Sequence, residues 1–212
     1  MTDKVSAAVI TEWHPFDVMN FQRLFWRFPD VEAYPQAWDI FAKDANRDAY
    51  DVVVYYNMSF PAPEPDDPRR RYLEEQLGGS AQGIVLLHHA ILSYEHWPFW
   101  NAVSGTTDRA FTFHTDQELR CRVSDAGHPI TEGVDDFTIV DESYRMAEPD
   151  GDNEVLITTE HPNSLRALAW TRTYRSSRVF CYQSGHDDSS WSDPTFQRVL
   201  HRGILWAARR LD

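Results

Sequence analysis

Apolar, β-branched runs alternate with amphipathic stretches along the first half of the chain. Ser6 to Thr11 is apolar without alternation, as a strand buried on both faces should be. Asp17 to Phe28 carries Val18, Phe21, Leu24, Phe25 and Phe28 at three- and four-residue spacing, which predicts a helix with one apolar face. Val31 to Tyr34 reads as a short second strand and Tyr50 to Tyr55 as a third. Pro61 to Pro68 holds four prolines in eight residues and cannot be helical, so it reads as a loop. Arg69 to Leu77 predicts a helix that Gly78-Gly79 stops. Gly83 to Leu87 is the next strand, and Tyr94 to Val103 a short helix after it. Strand–helix alternation of this kind predicts a right-handed, doubly wound, mainly parallel α/β sheet with helices on both faces.

The second half has a different rhythm. Phe111 to His114, Glu118 to Val123, Phe137 to Val140, Val155 to Thr159 and Leu168 to Tyr174 read as strands joined by short polar loops, a few of them antiparallel. Arg178 to Tyr182 returns as a core strand. Pro194 to Arg209 closes the chain as an amphipathic helix, with Asp193 as its N-cap and Pro194 in its first turn. No repeat or linker interrupts this order, and 212 residues suffice for one substantial core, so residues 1–212 are expected to form one domain.

Candidate chemistry follows from where the strands end. His88 and His89 close the run Gly83 to Leu87, His186 follows Val179 to Gly185, and His14 follows Ala7 to Trp13. In an open parallel sheet the carboxyl ends of the strands share one edge, where ligands bind. Distant imidazoles should therefore converge on one cleft. A neutral imidazole is both a metal ligand and a general base near neutral pH. His14, His88 and His186 can supply three nitrogens to a divalent ion such as zinc, with Glu142 adding a carboxylate if its segment folds over the strand ends. Adjacent His88 and His89 are expected to point in different directions. Without a metal, His88, His186 with Asp187 beside it, and Glu142 are the candidates for proton transfer. His114, His128, His161 and His201 read as loop-bonding or helix residues, His96 as an exposed helix residue, and Asp141 as a turn or cap residue.

Charge and cysteines narrow the classes. The net charge is −13, and the main basic run, Arg69-Arg70-Arg71, sits in a Pro- and Asp-rich stretch. This argues against nucleic acid and strongly acidic ligands and favours neutral polar ligands or cations. The six-residue apolar run near the N-terminus is too short for a signal peptide or a membrane span, so a cytoplasmic location is the default expectation. Cys121 and Cys181 lie in separate strands and make neither a disulfide framework nor a zinc ribbon. Aromatic residues are 14% of the chain, which is compatible with a homodimer.

Several segments, in order, resemble the ThuA-like proteins, named for trehalose utilisation. They are Gly83-Ile84-Val85-Leu86-Leu87-His88-His89, Phe113-His114, Gly127 to Gly133, Asp141-Glu142-Ser143-Tyr144 and Ala169 to Arg172. Ser177 to Phe180 with Gly185-His186-Asp187, and Gly203 to Ala207, complete the match. The chain departs from the family pattern at Arg175 to Phe180, which lacks the usual glycines, and in the Pro61 to Pro68 loop. The resemblance implies a flavodoxin-like, class I glutamine amidotransferase-like α/β fold that has lost its nucleophile. Such enzymes need a Cys at a sharp strand-to-helix turn, and the turn after Leu87 carries His88, His89 and Ala90 instead. No Gly-x-Ser-x-Gly elbow replaces it.

The same resemblance implies carbohydrate metabolism, with trehalose or a related glycoside, or an oxidised sugar, as the small-molecule partner. His88, His186 and Glu142 are then the catalytic candidates. His14, His89, Trp13, Trp97, Trp191 and Asp187 are the substrate-binding ones, with Trp100 flanking the same edge. Two readings stay open: a hydrolase, lyase or isomerase acting on sugars, and a non-catalytic sugar-binding or interaction protein on a degenerate amidotransferase-like fold.

Overall fold

The uninterrupted apolar runs become the buried strands of one nine-stranded sheet in a computed structural model that describes residues 4–212; residues 1–3 lie outside it. The elements in order are β1 (Val5–Ile10), α1 (Val18–Trp26), β2 (Val31–Gln36), α2 (Trp38–Lys43), β3 (Val52–Tyr55), α3 (Pro68–Arg71) and β4 (Gly83–Leu87). Then come α4 (Pro98–Ser104), β5 (Thr112–Val123), β6 (Phe137–Arg145), β7 (Glu154–Thr158), β8 (Ala167–Tyr174), β9 (Ser177–Tyr182), α5 (Asp188–Trp191) and α6 (Pro194–Ala207). The strand order is β2-β1-β3-β4-β9-β8-β7-β5-β6. The first five run parallel, and β8, β7, β5 and β6 extend the sheet by antiparallel pairing.

Register decides what meets at the strand ends. Ile10 pairs with Tyr55, Tyr55 with Leu86, and Leu87 with Tyr182. The residues that follow β1, β3, β4 and β9 therefore leave the sheet side by side. Apolar residues fill both faces. Phe21, Leu24 and Phe25 of α1 and Phe196, Val199, Leu200 and Ile204 of α6 pack on one face. Trp38 and Phe41 of α2 and Trp100 and Val103 of α4 pack on the other. Each such burial contributes roughly 1.5–3 kcal/mol relative to exposure. At Gly203 the α6 backbone lies so close to β9 that an added Cβ would meet the Phe180 ring at 2.2 Å.

Several expectations need correction. The helix expected from Tyr94 begins only at Pro98, because the residue before a proline avoids helical geometry and Tyr94 itself has φ 54°. His96 is accordingly an exposed turn residue rather than a helical one. The helix expected over Arg69 to Leu77 is α3, capped by Asp67, which widens into a π turn over Tyr72–Gln76. The two strands expected at 111–114 and 118–123 are the single β5, with a bulge between His114 and Gln117. The strand expected at Phe137 to Val140 runs on through Asp141, Glu142 and Ser143 to Arg145. Its polar residues look like a loop, but Glu142 turns toward the strand ends while Asp141 and Ser143, on the opposite face, bond backbone groups of neighbouring loops. Among the described residues no helix is long and apolar enough to cross a membrane.

Candidate functional site

The site begins at the turn that leaves β4. His88 opens a 3₁₀ turn, His88–Leu92, and sits at φ 54°, a left-handed conformation costly for a residue with a Cβ. Strain of this kind, of order 1–3 kcal/mol, is held only where the surroundings over-determine it. The sharp strand-to-turn junction that presents a nucleophile in other α/β enzymes here presents an imidazole. His88 Nδ1–H donates to the Gln183 carbonyl, 2.7 Å away at the end of β9. That leaves Nε2 to accept from the Tyr144 hydroxyl at 2.5 Å.

β6 closes over these strand ends. Glu142 Oε1 lies 3.5 Å from His88 Nε2, and Glu142 Oε2 lies 3.8 Å from His186 Nε2. One donor atom from each of His88, Glu142 and His186 falls within 4.8 Å of the others. Burial pushes the Glu142 carboxyl up, but His88, His186 and the Tyr144 hydroxyl outweigh it and hold the group below the ordinary glutamate value. Burial, then the Glu142 charge, drives the Tyr144 phenol well up, so it stays protonated and donates. His186 Nδ1 faces Asp187 Oδ2 at 3.4 Å, and Asp187 also caps α5 through Ser189 N–H. Glu142 and Tyr144 line a cleft of about 210 Å³ with His14, Met58, Phe111 and Phe113.

A second layer holds these groups in place. Asp141 is fully buried and accepts from the backbone N–H of Gly185 (2.7 Å), His186 (3.0 Å) and Glu142 (2.9 Å). Its side chain clasps the loop that carries His186. Gly185 in that loop has φ 123°, which other residues rarely adopt. Tyr56 donates to the His186 carbonyl at 2.9 Å, and the Trp191 indole donates to the Gly185 carbonyl at 2.8 Å. The Gln183 side chain donates to the Glu142 carbonyl at 3.0 Å and ties β6 to β9. His14 stacks on His89 with ring centroids 4.4 Å apart and meets His186 edge-on at 5.5 Å.

Burial, followed by repulsion from neighbouring imidazoles, lowers the pKa of His14 and drives that of His89 well below the ordinary 6.5. Both rings therefore stay neutral in the folded protein where an unfolded chain would protonate them. The unfolded state binds more protons, so stability should fall as the pH drops below 6.5, by up to ~1.4 kcal/mol per pH unit for the buried His89 ring and by less for the partly exposed, solvent-screened His14. Glu142, held low, adds a loss at more acid pH. Asp141, pushed up by burial, opposes it nearer its ordinary value of 3.8. Denaturant midpoints at about pH 7.5 and about pH 5.5 check this; an unchanged or higher midpoint at the lower pH contradicts it.

The structure brings His14, His88, His89, His186, Glu142 and Asp187 together. His88 and His89, expected to diverge, have ring centroids 5.2 Å apart, although their hydrogen bonds go to different strand ends. His14 falls outside the tight donor set, which contains Glu142 in its place. Two tryptophans do not face the imidazoles. Trp191 is buried against Phe21 and Tyr56 and supports the loop from below. Trp97 packs on Tyr94, Phe99 and the Arg70 guanidinium. Trp100 is buried and donates to the Ala90 carbonyl. Trp13 alone of the four is exposed, at 64%, and it also has positive φ.

Three further histidines serve local structure: His128 Nδ1 accepts from Ile130 N–H, His161 Nδ1 from Asn163 N–H, and His201 pairs with Asp30. Both cysteines are buried, and burial pushes the Cys121 thiol up to about 12, so neither is poised as a thiolate. Sequence reading gave Tyr144 and Gln183 no role and treated Asp141 as a turn or cap residue. Tyr144 had a signal: it lies two residues beyond Glu142, on the same face of an extended strand. Gln183 acts largely through its main-chain carbonyl, for which residue type carries no signal.

With this geometry in view, sequence and fold comparisons agree. The chain belongs to the ThuA family, described as trehalose utilisation, whose profile matches residues 26–207. A ThuA-like protein from Parabacteroides merdae is similar in structure, with TM-score 0.76 and 19% identity over 97% of this chain and 90% of that one. A second, from Bacteroides uniformis, has TM-score 0.73 and 18% identity over 98% and 93% of the two chains. A glutamine amidotransferase from Thermotoga maritima has TM-score 0.59 and 8% identity over 96% and 98%. The fold is thus an α/β fold with a large, mostly parallel sheet, similar to glutamine amidotransferase-like structures. No curated protein matches the chain in sequence.

Proposed function

We propose that this chain is a carbohydrate-processing enzyme of trehalose or related glycoside metabolism, working by proton transfer at His88, Glu142 and His186. The observation that carries this reading is their convergence within 4.8 Å at the ends of β4, β6 and β9, in a chain of the ThuA family. His186 is the more exposed imidazole of the pair. As a neutral base it takes a proton from a sugar hydroxyl or carbon. Glu142 at 3.8 Å and Asp187 at 3.4 Å stabilise the imidazolium that forms. The proton then returns to the leaving or receiving atom of the sugar. His88 is fixed beside this pair by the Gln183 carbonyl and the Tyr144 hydroxyl.

Cleft shape supports a sugar of more than one ring. A cleft of about 210 Å³ is small beside the ~300–1,000 Å³ usual for drug-sized ligands and suits one ring. Trp13, Ser59, Pro61, Arg69 and Tyr94 line a neighbouring cleft of about 160 Å³. The chain neighbours Trp13 and His14, and Ser59 and Met58, divide between the two clefts. The exposed Trp13 ring is the stacking surface for a second ring. The test is to assay the purified protein with trehalose, simple glucosides and their keto derivatives, following products and binding separately. Turnover of at least one is expected. Binding without turnover of any would instead favour the non-catalytic sugar-binding reading.

A further inference from the structure

We infer that His88, Glu142 and His186 form a binding site for one divalent metal ion of zinc type. The ligand set is the two imidazole Nε2 atoms and the Glu142 carboxylate. Tetrahedral zinc with bonds of about 2.0–2.2 Å needs donors roughly 3.3 Å apart. Glu142 offers one oxygen to each ring, Oε1 at 3.5 Å from His88 Nε2 and Oε2 at 3.8 Å from His186 Nε2. A turn of the carboxylate together with a small side-chain adjustment is needed to bring a single oxygen to that figure from both nitrogens. One donor atom from each of the three residues already falls within 4.8 Å of the others.

Ring orientation is the second, independent observation. A metal-bound histidine presents one nitrogen to the ion and gives its other N–H to a carbonyl or carboxylate. His88 is arranged this way, its Nδ1 meeting the Gln183 carbonyl at 2.7 Å, and His186 Nδ1 has the Asp187 carboxylate 3.4 Å away on the corresponding side. Both Nε2 atoms are thereby left facing Glu142. Two nitrogens and one carboxylate suit zinc and its transition-metal neighbours rather than magnesium or calcium, which want oxygen donors. Of the three, Glu142 lines the cleft, where His14 stands near His186 without belonging to the set, so a fourth position on that side would be left to a non-protein ligand. Three protein ligands and one open position is the catalytic rather than the structural pattern. The Tyr144 hydroxyl competes for the His88 Nε2 lone pair, and an incoming ion must displace that one contact. Bound there, the ion supplies a Lewis acid for an oxygen in the cleft.

This inference concerns the site of the proposed proton-transfer reading, but its readout is independent of turnover. Protein stripped with a chelator is titrated with zinc alone by calorimetry, and with cobalt(II) followed by its visible absorption. One equivalent per chain is expected. His186→Ala and Glu142→Gln should weaken binding beyond the ~10–100-fold typical of losing an outer partner, and Asp187→Asn by about 10-fold. His14→Ala should leave it unchanged. His88 is fully buried, so the partly exposed His186 carries the test, with circular dichroism confirming that each variant is folded. No stoichiometric uptake, unaltered uptake in the folded His186 and Glu142 variants, or a loss in His14→Ala equal to that in His186→Ala would overturn the assignment. Zinc uptake without sugar turnover would support the site and count against the enzyme. Turnover by protein that takes up no zinc would do the reverse.

Discussion

Glu142→Gln is expected to reduce turnover by roughly 10²–10⁴-fold, the usual contribution of a positioned acid–base group. The substitution keeps the shape of the side chain and removes its charge. The imidazolium that forms at His186 then loses its charged partner at 3.8 Å. His186→Ala should cost as much, because it removes the proton carrier itself. Sugar binding should change far less in both, since the cleft walls from Met58, Phe111 and Phe113 are untouched. Steady-state rates alongside equilibrium binding separate the two effects. A loss of affinity with an unchanged rate constant would reassign both residues to recognition.

Asp141→Ala is expected to be the most destabilising single change at the site, by at least ~3 kcal/mol. The side chain is buried and accepts three backbone N–H groups. Leaving a buried donor without a partner costs about 1–3 kcal/mol each. Tyr56 and Trp191 hold carbonyls of the same loop and cannot replace those acceptors. The loop would lose its register, and His186 its position against Glu142. Asp141→Asn keeps one acceptor oxygen but turns an amide N–H₂ toward the backbone donors, so it should fall between. Urea unfolding curves and sugar turnover measured on both variants check the order; a milder effect for Ala than for Asn would contradict it.

Much of the frame was legible before any coordinates. The runs at β1, β3, β4 and β9 are apolar without alternation, which only strands covered on both faces require. Their parallel register then brings the histidines that follow them to one edge. What could not be read depends on contacts distant in the chain. Glu142 and Tyr144 lie in a stretch whose polarity imitates a loop, yet it is a strand folded across the end of β4. Trp191 and Trp97 match a sugar platform in residue type, and only packing shows them supporting the loop and filling a gap. Periodicity also could not reveal α2 or the 3₁₀ turn at His88, which are too short to repeat a pattern.

The most direct test of the central claim is a crystal structure with trehalose or a keto derivative bound. The account predicts a sugar ring in the cleft beside His14 and Tyr144, with one of its oxygens or acidic carbons in hydrogen-bonding reach of Glu142 or His186. A sugar seated elsewhere, with the three side chains apart from it and from one another, would contradict it.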